Sequence, residues 1–85
     1  MIIGAAVMGY DGVVVYLPPP ARHHTIMHHM VDELKHPIPI NGEEGFIDSE
    51  LGFVNRTQAA DIALHESKQI EKLNWPPYLY SEDLW

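Results

Sequence analysis

The chain contains no cysteine among its 85 residues. That excludes disulfides, thiolate metal sites and a cysteine nucleophile. Basic residues are also scarce: five lysines and arginines stand against 12 acids, for a formal net charge of −7. Duplex nucleic acid is therefore not expected as a partner, because that binding runs mainly on phosphate neutralisation. No apolar run approaches the roughly 20 residues that span a bilayer, so no membrane association is expected. The first residues, Met1 to Met8, lack the basic region of a secretory leader. A glycine-rich phosphate loop is missing too: Gly4, Gly9 and Gly12 lack the strand–loop–helix setting and its lysine. No serine lies in a nucleophile-elbow context. No catalytic set emerges, no cofactor is implied, and binding without turnover is the simpler reading.

At this length one domain is expected, spanning residues 1–85. Its core is small, and without disulfides self-association is the expected support. Residues 2–9 and 13–17 are rich in β-branched side chains and flank Asp11-Gly12, a strong hairpin signal. Strands this uniformly apolar are expected to be covered on both faces, by helices or by another subunit. Pro18-Pro19-Pro20 ends the second strand. A helix is predicted from Ala21 or Arg22 to Lys35, with Ile26, Met27, Met30, Val31 and Leu34 as its apolar stripe. Residues 36–44 read as a proline-marked connector with a turn at Asn41-Gly42.

A second hairpin is predicted around Phe46–Ile47 and Phe53–Val54, with Gly52 in the turn. Thr57 is the expected cap of a second helix that runs to about Gln69, with Ala59, Ala60, Ala63 and Leu64 on its close-packing side. The tail from Leu73 to Trp85 holds both tryptophans and two of the four tyrosines. Such aromatic density must be buried in the domain, in a partner subunit or over a ligand. The expected fold is α+β: a small antiparallel sheet of two hairpins with two α-helices, in a homo-oligomer.

Three clusters bear on function. His24 and His28 lie four apart on one helix face, a spacing used by zinc ligands. Thr25 stands where a helix-borne zinc protease needs glutamate, so a solvated helix face is the expected reading and no metal site is assigned. Arg22, with His23 and His24, opens the first helix, and Arg56, after Asn55, opens the second. Backbone N–H groups at a helix start favour anions, and arginine adds a bidentate donor. The competing reading of Arg56 is an ion pair with Glu43, Glu44 or Asp48. Phe46, Phe53 and Arg56 are expected to lie close together.

These residues carry a resemblance. Arg22-His23-His24, Gly45-Phe46, Phe53-Val54-Asn55-Arg56, Ala59-Ala60 and the terminal Leu79-Tyr80-Ser81-Glu82-Asp83-Leu84-Trp85 resemble the first-described Thoeris anti-defence family of bacteriophages. Glu44 stands where that family places glutamine. The resemblance implies a non-catalytic α+β homo-oligomer, a dimer or hexamer, in the cytoplasm of an infected bacterium. It implies sequestration of a cyclic ADP-ribose isomer made by a bacterial TIR-domain enzyme, and in some members cyclic oligonucleotides at a separate site. It further implies a ligand site at Arg22, His23, His24, Phe46, Asn55 and Arg56, with both arginines on the pyrophosphate and Phe46 stacked on adenine. The alternative function is a phage inhibitor or adaptor that docks a host protein through the aromatic tail. A metal-dependent enzyme built on the histidines is a third.

Overall fold

A computed structural model describes residues 1–9, 12–35 and 42–85. Asp11 of the first turn and residues 36–41 of the expected connector lie outside the described residues. Strand β1 spans Ile2–Gly9 and β2 spans Val14–Tyr16. Helix α1 spans His23–Asp32, β3 spans Gly42–Asp48 and β4 spans Gly52–Asn55. Helix α2 covers Arg56–Asp61 and continues into a widened helical turn, Ile62–Glu66. A single 3₁₀ turn at Ser81–Asp83 ends the ordered elements. The four strands form one sheet in the order β2-β1-β3-β4, antiparallel throughout. The protein is therefore α+β, with the two predicted hairpins joined edge to edge through β1 and β3.

Side chains alternate across the sheet, and that alternation decides what is core. Ala5 pairs with Phe46, Phe46 with Val54, and Val7 with Val15. These residues face Ile26 and Met30 of α1, Ala59 and Ala60 of α2, and Ile62, Ala63 and Leu79. The alanines let α2 lie close over β3 and β4. The opposite face carries Ala6, Tyr16, Ile47 and Phe53, and no described helix covers it. Two rings shelter its centre instead. A Cβ at Gly4 would lie 2.9 Å from the Tyr16 ring, and one at Gly45 would lie 2.6 Å from the Phe53 ring. Absence of a side chain at both places is what lets the aromatics fold down.

Several predicted boundaries shift. Strand β3 begins at Gly42, inside the expected connector, because Glu43 and Glu44 pair with Met8 and Val7. Gly52 adopts φ +79°, the left-handed turn conformation that glycine supplies without strain. Asn55, not Thr57, caps α2. Its side chain accepts from the Gln58 N–H at 2.8 Å, and Gln58 Oε1 accepts from the Asn55 N–H at 3.0 Å. The expected helix to Gln69 stops earlier. The Ser67 N–H and Oγ both donate to the Ile62 carbonyl, at 2.8 and 3.1 Å, closing a wide turn. Lys68 then turns left-handed at φ 53°. Gln69 leaves the helix to act as a strand surrogate: Oε1 accepts from the Ile2 N–H at 2.7 Å, and Nε2 donates to the Ile2 carbonyl at 2.9 Å.

Asp48 anchors the sheet's other end. Its carboxylate accepts from the Met1 ammonium at 2.7 Å and from the Glu50 and Leu51 N–H groups at 3.0 Å. The ammonium hydrogen bond, then the backbone donors, hold this carboxyl below the usual aspartate value.

Candidate functional site

A cleft of about 310 Å³ opens where both helices start and the tail crosses them. It is lined by Arg22, His23, His24, Glu44, Arg56, Tyr80, Ser81 and Glu82. Four of the six residues expected from sequence thus share one cavity: Arg22, His23, His24 and Arg56. Phe46 and Asn55 do not line it.

Each arginine is already engaged. Arg56 is the first residue of α2, which points its side chain along β3 toward the tail. Nη1 donates to the Leu79 carbonyl at 2.7 Å, and the Leu79 N–H donates back to the Arg56 carbonyl at 3.1 Å. Nη2 pairs with Glu44 at 3.2 Å. The guanidinium lies over the Tyr80 ring, 4.4 Å from its centroid. The ion-pair reading of Arg56 holds for Glu44. Arg22 immediately precedes α1, and its N–H donates to Thr25 Oγ1 at 3.3 Å. Its side chain donates to Glu82 at 3.3 Å, to Ser81 Oγ at 3.4 Å and to the Trp85 main-chain oxygen. The Trp85 indole N–H in turn donates to the Ala21 carbonyl at 3.1 Å. The tail is therefore strapped across both helix starts.

His23 is the buried member of the histidine run. Its Nε2 lies 2.7 Å from the Gly45 carbonyl, and its ring meets the Phe46 ring edge-on at 5.0 Å. Donation to that carbonyl fixes Nε2 as the protonated nitrogen of the neutral ring. Burial lowers the pKa of His23 below its ordinary value of 6.5, and Arg56 adds to the lowering, while the Gly45 carbonyl, Glu44 and Glu82 oppose it. His24 stays exposed at the cleft mouth.

Two of the expected residues stand apart from the cleft. Phe46 is 0% exposed, and no open ring face is available for an adenine. Strand alternation turns it into the core, where it supports His23 and lies under Arg56 at 5.9 Å. Asn55 spends its side chain on capping α2. That cap takes up the Gln58 N–H, one of the free amides at the start of this six-residue helix. Among the described residues no group of three or more His, Asp or Glu side chains is placed to hold a metal, and no helix is long and apolar enough to cross a membrane.

Sequence reasoning offered Glu44 as one of three acids that could pair with Arg56, and missed Tyr80, Ser81 and Glu82 as cleft walls. The only advance signal was the aromatic density of the tail, which required burial without saying against what.

The fold and cleft define a small α+β protein whose tail is held over a charge-paired pocket. The chain belongs to the phage T4 y16D protein family, whose model matches residues 1–85. No curated protein and no solved structure matches it.

Proposed function

We propose that this phage protein binds and sequesters a cyclic nucleotide-type immune signal, a cyclic ADP-ribose isomer, without cleaving it, in the cytoplasm of the infected host. The observation that carries the reading is the convergence of Arg22 and Arg56, 34 positions apart in the chain, on one cleft of about 310 Å³. That volume is at the lower end of ligand pockets, so part of a dinucleotide-sized ligand lies outside it. The carboxylates now paired with the arginines are partly solvated, with side-chain exposures of 40% for Glu44 and 55% for Glu82. A pyrophosphate displaces them by offering two charges and more acceptor oxygens to the same forks. Released, both glutamates swing into water at small cost.

Self-association as a dimer or hexamer belongs to the same proposal. Ile3 and Val14 are each 38% exposed on β1 and β2, Val13 just before β2 is 54% exposed, and a chain this small gains most from covering them. A separate site for cyclic oligonucleotides is a further part of the resemblance and awaits the same assays.

The test is calorimetry with cyclic ADP-ribose isomers, followed by heat denaturation and mass spectrometry of the released ligand. Tight binding, intact recovery and loss of binding in Arg22→Ala are expected. No heat with any isomer, or recovery of cleaved product, defeats the reading. Exposure of Trp75 at 56% and Tyr78 at 47% favours a second reading, docking of a host protein on the tail. A stoichiometric host protein retained in place of a small molecule would select it.

A further inference from the structure

We propose that Trp75 is the base platform of this site, and that the ligand is a nucleotide lying across two neighbouring compartments, its phosphates at Arg22 and Arg56 and its base on the indole. This rests on the nucleotide-binding reading above and adds the residue that recognises the base.

A second hollow of about 280 Å³ is lined by Trp75, Tyr80 and Glu82. Tyr80 and Glu82 also wall the arginine cleft, so the two hollows are neighbours on either side of these side chains. One compartment offers guanidinium groups; the other offers an aromatic ring. A nucleotide has the same division, phosphate at one end and a flat base at the other.

Trp75 is exposed but not loose. Its ring meets Tyr80 edge-on at 5.5 Å with 77° between planes, and Arg56 lies over the Tyr80 ring. Asp83 ties the segment on both sides. Its Oδ1 accepts from Asn74 Nδ2 at 2.8 Å, and its Oδ2 accepts from the Tyr80 N–H at 2.9 Å. The Tyr78 N–H donates to the Trp75 carbonyl at 3.1 Å. Two prolines, Pro76 and Pro77, restrict the backbone between them. Apart from its edge contact with Tyr80, the indole is 56% exposed, a large apolar surface held open to water in a fixed orientation. It is the arrangement that stacks a base with little ordering left to lose. Glu82 stands on the shared wall. Once phosphate takes over Arg22, its carboxylate is free to accept from a ribose hydroxyl or a base amino group. Phe46 has no comparable open face.

The test titrates the native chain with cyclic ADP-ribose, ADP and inorganic pyrophosphate, reading calorimetry and tryptophan emission. The expected result is binding of all three, with emission quenched by a nucleotide and not by pyrophosphate. Trp75→Leu should weaken the nucleotide about tenfold, one stacking contact, and leave pyrophosphate affinity and the unfolding midpoint unchanged. Trp75→Phe should recover part of the loss. If pyrophosphate and a nucleotide bind and Trp75→Leu weakens neither, the platform is overturned and the arginine site stands. If none of the three binds, the underlying nucleotide reading fails as well.

Discussion

Arg22 and Arg56 stand in the same local pattern, each where an extended segment turns into a helix, and both reach the tail. Their surroundings differ. The Arg56 side chain is 18% exposed, and it bonds the carbonyl of Leu79, a residue with no exposure at all. The Arg22 side chain is 31% exposed, and its charge partner Glu82 is mostly in water. The Arg56 junction is backed by the Tyr80 ring above and Phe46 below. Arg22 has no aromatic ring stacked on its guanidinium among the described contacts. Equal charge at equal positions therefore gives one arginine that is part of the packing and one whose partners are exchangeable. An anion-binding role fits Arg22 more easily than Arg56.

The contrast can be broken from beneath. Phe46→Ala removes the ring under Arg56 and should cost about 3–5 kcal/mol, the range for emptying an aromatic core position; urea unfolding measures it. Arg56→Ala comes next, at about 2–3 kcal/mol, because the buried Leu79 carbonyl loses its donor and Tyr80 its stacked cation. Tryptophan emission should shift with it, since Trp75 rests on Tyr80. Arg22→Ala should cost about 1 kcal/mol or less in stability while ligand binding is lost. Equal destabilisation by the two arginine substitutions would erase the distinction.

The smallest effect is one of pH. Unfolded His23 takes up a proton below its ordinary value of 6.5, whereas the buried native ring resists it. The unfolded state then binds more protons, so stability is full above that value and declines as pH falls below it. His23→Gln keeps an N–H donor for Gly45 and cannot titrate. Thermal midpoints between about pH 7.5 and about pH 5.5 should fall less in this variant than in the native chain. Parallel curves would place His23 in a solvated site.

Strand β1 was legible because its β-branched run has no competing reading. Helix α1 was legible from its stripe as far as Asp32, short of the expected end at Lys35 and leaving Leu34 exposed; Arg22, His23, His24 and Arg56 were legible from their place at helix starts. Phe46 misled because its face of β3 alternates with Glu44 and Asp48, so the pattern looks solvated although Asp48 is buried. Each is satisfied by a partner far away in sequence, Arg56 for Glu44 and the Met1 ammonium for Asp48. The early end of α2 was hidden because Ser67 and Gln69 break the helix through bonds to Ile62 and Ile2. The tail's seat on two arginines is likewise a long-range contact that no local spacing encodes.

Those long-range contacts also set an order of events. The bond from Arg56 to Leu79 closes a loop of 23 residues, while that from Arg22 to Glu82 closes one of 60. Formed first from an open chain, the longer closure costs about 0.9 kcal/mol more in chain entropy. Once Leu79 is docked on Arg56, Glu82 is only three residues from a fixed point and the extra cost largely disappears. Chain entropy thus favours seating Leu79 on Arg56 before the residues from Ser81 to Trp85 reach Arg22 and Ala21.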